Sequence, residues 1–369
     1  MKNSRITRIY NKELRSLKNL VMQSTMGLFL TIMLTTWDAC IYAQEENPME
    51  PTPNIGPLKF SDGNSYFGQI ESGEMSGIGT QFFENGKQRT GYFQDNRYLA
   101  DFIATPPWHM IDLDIWFEES YEMETFSIDL TVLNDVPDSI YLYIAPFGTG
   151  EINGTQFYGG IQTQCGGYSA VENNENVQPF IPLGRSMIFS RWGSRSEDAL
   201  KKAKGGVCES SGYEGDFVSV RNGLKWKKGK YTFTLRKTNE TAVVDSVLHT
   251  YVEMNVYDHQ TKQTHRCGSL AFPGETLVLN KRNFIFFELY SKRVNVNNLS
   301  PFTFVCDNFQ INANPVNFQF AAATFDKQFP IFANAIYKDG KFTVEVCKPN
   351  KKHVEELDDF YFTILKDEK

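Results

Sequence analysis

The run DLDIWFEE places Asp112, Asp114 and Glu118 at even spacing, so on an extended chain these carboxylates share one face. A glycan hydrolase built on sheets needs two carboxylates across one cleft, one to give a proton and one to attack or to activate water. Here the next alternate position is taken by Trp116, not by an acid. The stretch therefore reads as an edge strand with solvated acids. Five histidines, His109, His249, His259, His265 and His353, are scattered through the chain. His259 and His265 flank the turn HQTKQT and approach each other across a hairpin, but a zinc site wants further ligands, and Asp258 reads as a turn residue. No G-x-S-x-G elbow and no phosphate-binding loop occurs. Cys165, within QCGG, reads as half of a disulfide or a buried thiol. The residues nominate no catalytic group, no metal ligand and no cofactor.

Binding asks for less. A sugar ring is held by an aromatic face against its C–H side, with a few amide, guanidinium or carboxylate groups for its hydroxyls. The stretch GGIQTQCGGY supplies Gln162, Gln164 and Tyr168, followed by the Asn-rich run ENNEN at 172–176. In IFSRWG, Ser190 and Trp192 fall on one strand face, and Phe189 and Arg191 on the other. Gln162, Gln164, Tyr168, Arg191 and Trp192 are the ligand-binding candidates, with core packing the competing role for Trp192 and Trp226.

Strands must position these groups. The chain holds 30 Phe, 17 Tyr and 5 Trp in 369 residues, a composition suited to half-buried pleated surfaces. From residue 105 onward, short alternating stretches follow one another, among them 139–147, 155–164, 185–193, 230–238, 249–258 and 283–291. Such spacing predicts a sandwich or barrel. In 230–238, Tyr231, Phe233 and Leu235 alternate with Thr232, Thr234 and Arg236, so one face is buried and one is wet. Only 194–206 reads as helix, capped by Ser196 and closed by Gly205 and Gly206.

The N-terminus has the layout of an export signal: six basic residues between Lys2 and Lys18, then nineteen uncharged residues from Asn19 to Trp37. Cleavage after Ala43 gives a signal peptide; without cleavage the segment is a signal anchor. Removing 1–43 takes the net charge from −7 to −11, which repels phosphate backbones and excludes nucleic acid as a partner. Cys165, Cys208, Cys267, Cys306 and Cys347 remain, with no C-x-x-C pair. The Pro-rich stretch 44–57 reads as a linker.

Between 58 and 101 glycine recurs: Gly63 aligns with Gly86 and Gly68 with Gly91, both at an offset of 23 residues. Asp62 precedes Gly63 and Asn85 precedes Gly86, as in tight hairpin turns. The run Tyr66, Gly68, Ile70, Gly73, Gly77, Gly79 resembles the membrane occupation and recognition nexus (MORN) repeat, and the second copy keeps Gly86, Gly91 and Phe93 before the pattern fades. The resemblance implies a small antiparallel ribbon.

Farther on, Gly159, Gly160, Ile161 and Gln162, then Phe189, Ser190 and Trp192, then Trp226, Gly229 and Tyr231, then Tyr257 and Asp258 come in the order of an exported family, domain of unknown function 3472. About residues 115–348 are similar to it, although its glycine-rich F-G-G-E-G segment is reduced to Tyr213, Glu214 and Gly215. The resemblance implies a lectin-like sandwich of the jelly-roll or concanavalin type, with no established activity. The expected chain is thus all-β: a signal at 1–43, a linker, MORN-like hairpin repeats at 58–101 and an antiparallel β-sandwich at 105–369. Its expected function is non-catalytic binding of carbohydrate or another surface ligand outside the cytoplasm, in a secreted, periplasmic or cell-surface setting. Membrane contact is expected only through an uncleaved anchor. The alternatives are a glycan-active hydrolase or lyase on the same sandwich and a structural, adhesive protein-binding module.

Overall fold

A computed structural model describes residues 54–171, 179–212 and 215–366. The proposed signal, the ENNEN run, Tyr213 and Glu214 lie outside the described residues. No helix among those described is long and apolar enough to cross a membrane.

Two large antiparallel sheets face each other. The first, of twelve strands, follows the path Val207–Ser211, Phe217–Gly223, Ile181–Trp192, Thr155–Gly167, Leu142–Ile152, Arg282–Leu289, Trp108–Phe117, Phe318–Asp326, Phe360–Ile364 and Glu355–Leu357, with two short strands beside it. The second runs Leu200–Lys202, Gln263–Pro273, Val247–Asp258, Gly229–Val244, Thr125–Val132, Phe302–Ile311, Lys341–Val346 and Ala333–Lys338, with one short strand off the path. Aromatic side chains fill the space between. Phe147 of the first sheet lies 5.1 Å from Phe126 and 6.4 Å from Phe233 of the second, Phe287 stacks 5.1 Å from Phe304, and Phe189 lies 6.3 Å from Phe272. Each such buried ring contributes about 1.5–3 kcal/mol relative to exposure. The alternation read in the sequence holds: Tyr231, Phe233 and Leu235 are buried, and Thr232 and Thr234 between them are only partly so.

A five-stranded ribbon precedes the sandwich, Asn54–Lys59, Ser65–Glu71, Glu74–Phe82, Gln88–Gln94 and Arg97–Asp101. Its first strand starts inside the stretch expected to be linker, because residues 54–59 pair in register with 65–70. The 23-residue beat has a physical basis. Gly63 and Gly86 occupy equivalent hairpin turns at φ of 82° and 81°, which a side chain resists. Gly68 and Gly79 pair across two strands beneath the Tyr66 ring, and a Cβ on either collides with the Tyr66 hydroxyl.

The ribbon is packed onto the sandwich. Phe67, Phe82 and Phe102 join the main core. Asn297 mimics a strand neighbour, accepting from the Thr90 N–H at 2.8 Å and donating to the Thr90 carbonyl at 2.9 Å.

Two expectations are corrected. The helix at 194–206 is a single 3₁₀ turn, Glu197–Ala199, after which Leu200–Lys202 pairs with the second sheet. Ser196 does cap that turn, accepting from the Asp198 N–H, but strand pairing of Leu200 with Leu270 overrides the helical preference beyond it. The stretch Trp108–Phe117 is no edge strand: it lies between Arg282–Leu289 and Phe318–Asp326. The five cysteines from Cys165 to Cys347 are all free thiols, and four of them are buried.

Candidate ligand-binding face

Register decides which side chains meet on the outer face of the twelve-stranded sheet. Tyr158 is opposite Ser190, Gln162 opposite Ser186 and Tyr143, Tyr143 opposite Glu288, Phe286 opposite Asp112, and Glu288 opposite His109. Two-residue alternation puts these on the side away from the inter-sheet core. The result is a row of rings. Trp192 lies 4.8 Å from Tyr158, Tyr158 lies 6.1 Å from Tyr143 and 6.5 Å from Phe286, Tyr143 meets Phe286 edge-on at 4.9 Å, and Phe286 lies 4.7 Å from His109. The row crosses five neighbouring strands, about 19 Å at the usual strand spacing. Trp192, Tyr158 and His109 are partly exposed, whereas Tyr143 and Phe286 are buried beneath their neighbours.

Glycine shapes the floor beside the row. Gly160 stands between Tyr158 and Gln162 on this face, and a Cβ there collides with the backbone carbonyl of Ile144.

Charges lie at one end, already matched. Asp114, fully buried, accepts from Arg282 Nε at 2.9 Å and Nη2 at 2.8 Å and from the Trp116 indole at 2.9 Å. Burial raises the Asp114 pKa against the opposing pull of Arg282 and Trp116. The Arg282 guanidinium also lies over the rings of Phe284 at 4.7 Å and Trp116 at 5.2 Å. Asp112 pairs with His109 Nδ1 at 2.8 Å. Burial works against charge on the His109 ring, but Asp112, by charge and hydrogen bond, and then Glu288 and Asp326 outweigh it and push the pKa up to about 9.

An imidazolium whose pKa exceeds the ordinary 6.5 in the folded chain adds stability that is fully present below about pH 6.5 and lost as pH rises through about 9. Because 43% of the His109 side chain is exposed, solvent reduces that contribution to about 1 kcal/mol or less. In an NMR titration the His109 ring protons are expected to shift with a midpoint near 9, and Asp112→Asn is expected to bring the midpoint down toward 6.5. A wild-type midpoint at 6.5 contradicts the pairing.

The candidates from sequence divide. Gln162 and Trp192 lie on this face, with Gln162 next to Tyr143 and Trp192 against Tyr158. Gln164 and Tyr168 lie farther along the same chain segment. The Gln164 amide donates to the Asp138 carbonyl at 3.2 Å, while Tyr168 bridges to Cys208 and packs edge-on to the exposed Phe180 at 5.7 Å. Arg191 points the other way. It is 2% exposed, donates to the Trp192 carbonyl and across the sandwich to the Ala271 carbonyl, and lies over the Phe272 ring at 5.9 Å. It is a core residue, as the alternation with Ser190 and Trp192 allows. Trp226 is buried, its indole donating to the Gln162 carbonyl at 2.9 Å.

Tyr143, Tyr158, Phe286 and His109 were not singled out by motif. Tyr143, Tyr158 and Phe286 stand in the aromatic-rich stretches SIYLYIAPF, FYGGIQTQ and NFIFFELYS, and His109 is one of five scattered histidines, but only strand pairing joins the four. Elsewhere, His259 Nε2 is hydrogen-bonded to the Thr232 hydroxyl at 2.8 Å, and no group of three or more His, Cys, Asp and Glu side chains among the described residues is placed to hold a metal. Burial raises the Cys165 thiol pKa, which disfavours a nucleophilic role. The sequence matches no known protein-family model and no curated protein.

Proposed function

We propose that this chain is an exported, non-catalytic β-sandwich protein that binds carbohydrate through the outer face of its twelve-stranded sheet. The observation that carries this reading is the row Trp192, Tyr158, Tyr143, Phe286 and His109, a run of rings in contact across five strands. Partly exposed rings supply flat apolar faces for the C–H side of a sugar, and Gln162 supplies an amide beside them. Of the three acids in DLDIWFEE at even spacing, Asp114 is engaged by Arg282 and Trp116 and Asp112 by His109, while Glu118 is exposed just past the end of the strand. Export rests on the basic and apolar N-terminal segment. The ribbon, with its MORN-like glycine pattern, serves as a docking element.

The test is a glycan array with the purified protein, with and without calcium, followed by product analysis on every glycan bound. Binding without turnover is the expected result. Tyr158→Ala and Trp192→Ala are each expected to weaken that binding about tenfold, a loss on the order of 1.4 kcal/mol, with unfolding little changed because both rings are partly exposed. Cleavage products overturn the non-catalytic assignment, and silence on the array overturns carbohydrate as the ligand.

A further inference from the structure

The row of rings covers one polar atom. The Tyr143 hydroxyl is buried and has no hydrogen-bond partner, in a residue only 3% exposed. An unpartnered buried hydroxyl costs stability, and folded proteins keep few of them. Its setting is a ligand face rather than the core between the sheets: Phe286 stands edge-on at 4.9 Å, the partly exposed Tyr158 at 6.1 Å, and Gln162 and Glu288 are the cross-strand neighbours. Burial first, and the nearby Tyr158 and Glu288 after it, hold the phenol in its protonated form. The group therefore offers one proton and two lone pairs throughout the physiological range.

Resting on the carbohydrate reading, we propose that Tyr143 Oη is the hydrogen-bonding anchor for an extended, neutral oligosaccharide, reached by a local shift of the side chains that cover it while the row of rings stays in place. The ligand is extended because the rings form a row on an open sheet face, about 19 Å across five strands. Sugars joined through equatorial bonds keep successive rings nearly coplanar and present flat C–H faces to such a row. It is neutral because the cations at the end of the row are matched, His109 with Asp112 and Arg282 with Asp114. Before binding, the hydroxyl lacks a partner; in the complex a sugar oxygen supplies one. That difference favours the bound state without any new charge.

The experiment uses the wild-type protein and Tyr143→Phe, which keeps the ring and removes only the oxygen. Cellohexaose and hexa-N-acetylchitohexaose, both neutral and equatorially linked, are titrated into each by calorimetry, and the melting temperature of each protein is recorded without sugar. The expected result is that wild type binds at least one probe, that Tyr143→Phe binds it about tenfold or more weakly, and that Tyr143→Phe melts at or above the wild-type temperature. Equal affinity in the two proteins overturns the anchor and leaves carbohydrate binding standing. A lower melting temperature for Tyr143→Phe also overturns it, since the oxygen then has an internal role. Failure of wild type to bind either probe overturns the extended neutral ligand, and the glycan array separately decides whether carbohydrate is bound at all.

Discussion

Asp114→Ala is expected to lower the unfolding free energy by about 3–5 kcal/mol, because it strands a guanidinium inside the sheet. Asp114 is 0% exposed and holds Arg282 through two oxygens while accepting from Trp116. Removing one member of a buried pair leaves the other charge desolvated without compensation, which costs far more than the net contribution of the intact pair. The contrast variant is Asp114→Leu with Arg282→Met, in which both charges leave together. It is expected within about 1–2 kcal/mol of wild type, so the two substitutions are strongly non-additive. Urea unfolding monitored by tryptophan fluorescence reads both values. A cost under about 1 kcal/mol for the single variant shows that water reaches Arg282 and that the pair is not a structural element.

Arg191→Ala is expected to cost about 2–4 kcal/mol, through the cavity left by the stem and the loss of a donor to the Ala271 carbonyl. Burial, against the weaker pull of Asp245, pushes the Arg191 pKa down to about 10 from 12.5. A base whose pKa falls on folding is disfavoured in its charged form, so this cost stands in full below about pH 10 and is relieved only as pH rises toward 12.5. Arg191→Met, which keeps volume and drops the charge, is therefore expected to be less destabilising than Arg191→Ala. Ligand affinity of the Met variant, measured well below its melting temperature, is expected to match wild type. A tenfold loss of affinity in a fully folded Met variant places Arg191 on the ligand after all.

The all-β architecture was legible because it is written locally. Period-two alternation such as Tyr231, Phe233 and Leu235 against Thr232 and Thr234 needs no distant partner to be recognised. The glycine beat was legible for the same reason, since Gly63 and Gly86 answer to their own turns. The central place of Trp108–Phe117 is not legible in the sequence, because the burial of Asp114 depends on Arg282, 168 residues later, and no pattern within DLDIWFEE announces it. Residues 200–202 joined a sheet because Leu270 was available to pair with Leu200. The candidate site was half visible. Trp192 and Gln162 suggested themselves by residue type, whereas Tyr143, Phe286 and His109 acquire their role only when five strands fix their register. Arg191 shows the converse: its residue type suggested a ligand contact, and its place in the alternation, beside buried Phe189, determined where it went.

The place of Trp108–Phe117 also governs assembly in time. It precedes most strands of the sandwich in the chain, yet its two neighbours, Arg282–Leu289 and Phe318–Asp326, are among the later ones. Closing such distant pairings requires ordering much of the chain before the contacts that reward it exist, so this sheet belongs among slow-folding topologies of high contact order. Until those neighbours arrive, the middle of the sheet presents unpaired apolar edges, the features that make incomplete β chains aggregate. A chain ending just before Arg282 retains Trp108–Phe117 but offers it neither neighbour, so the truncation opens the sheet at its centre rather than shortening its margin.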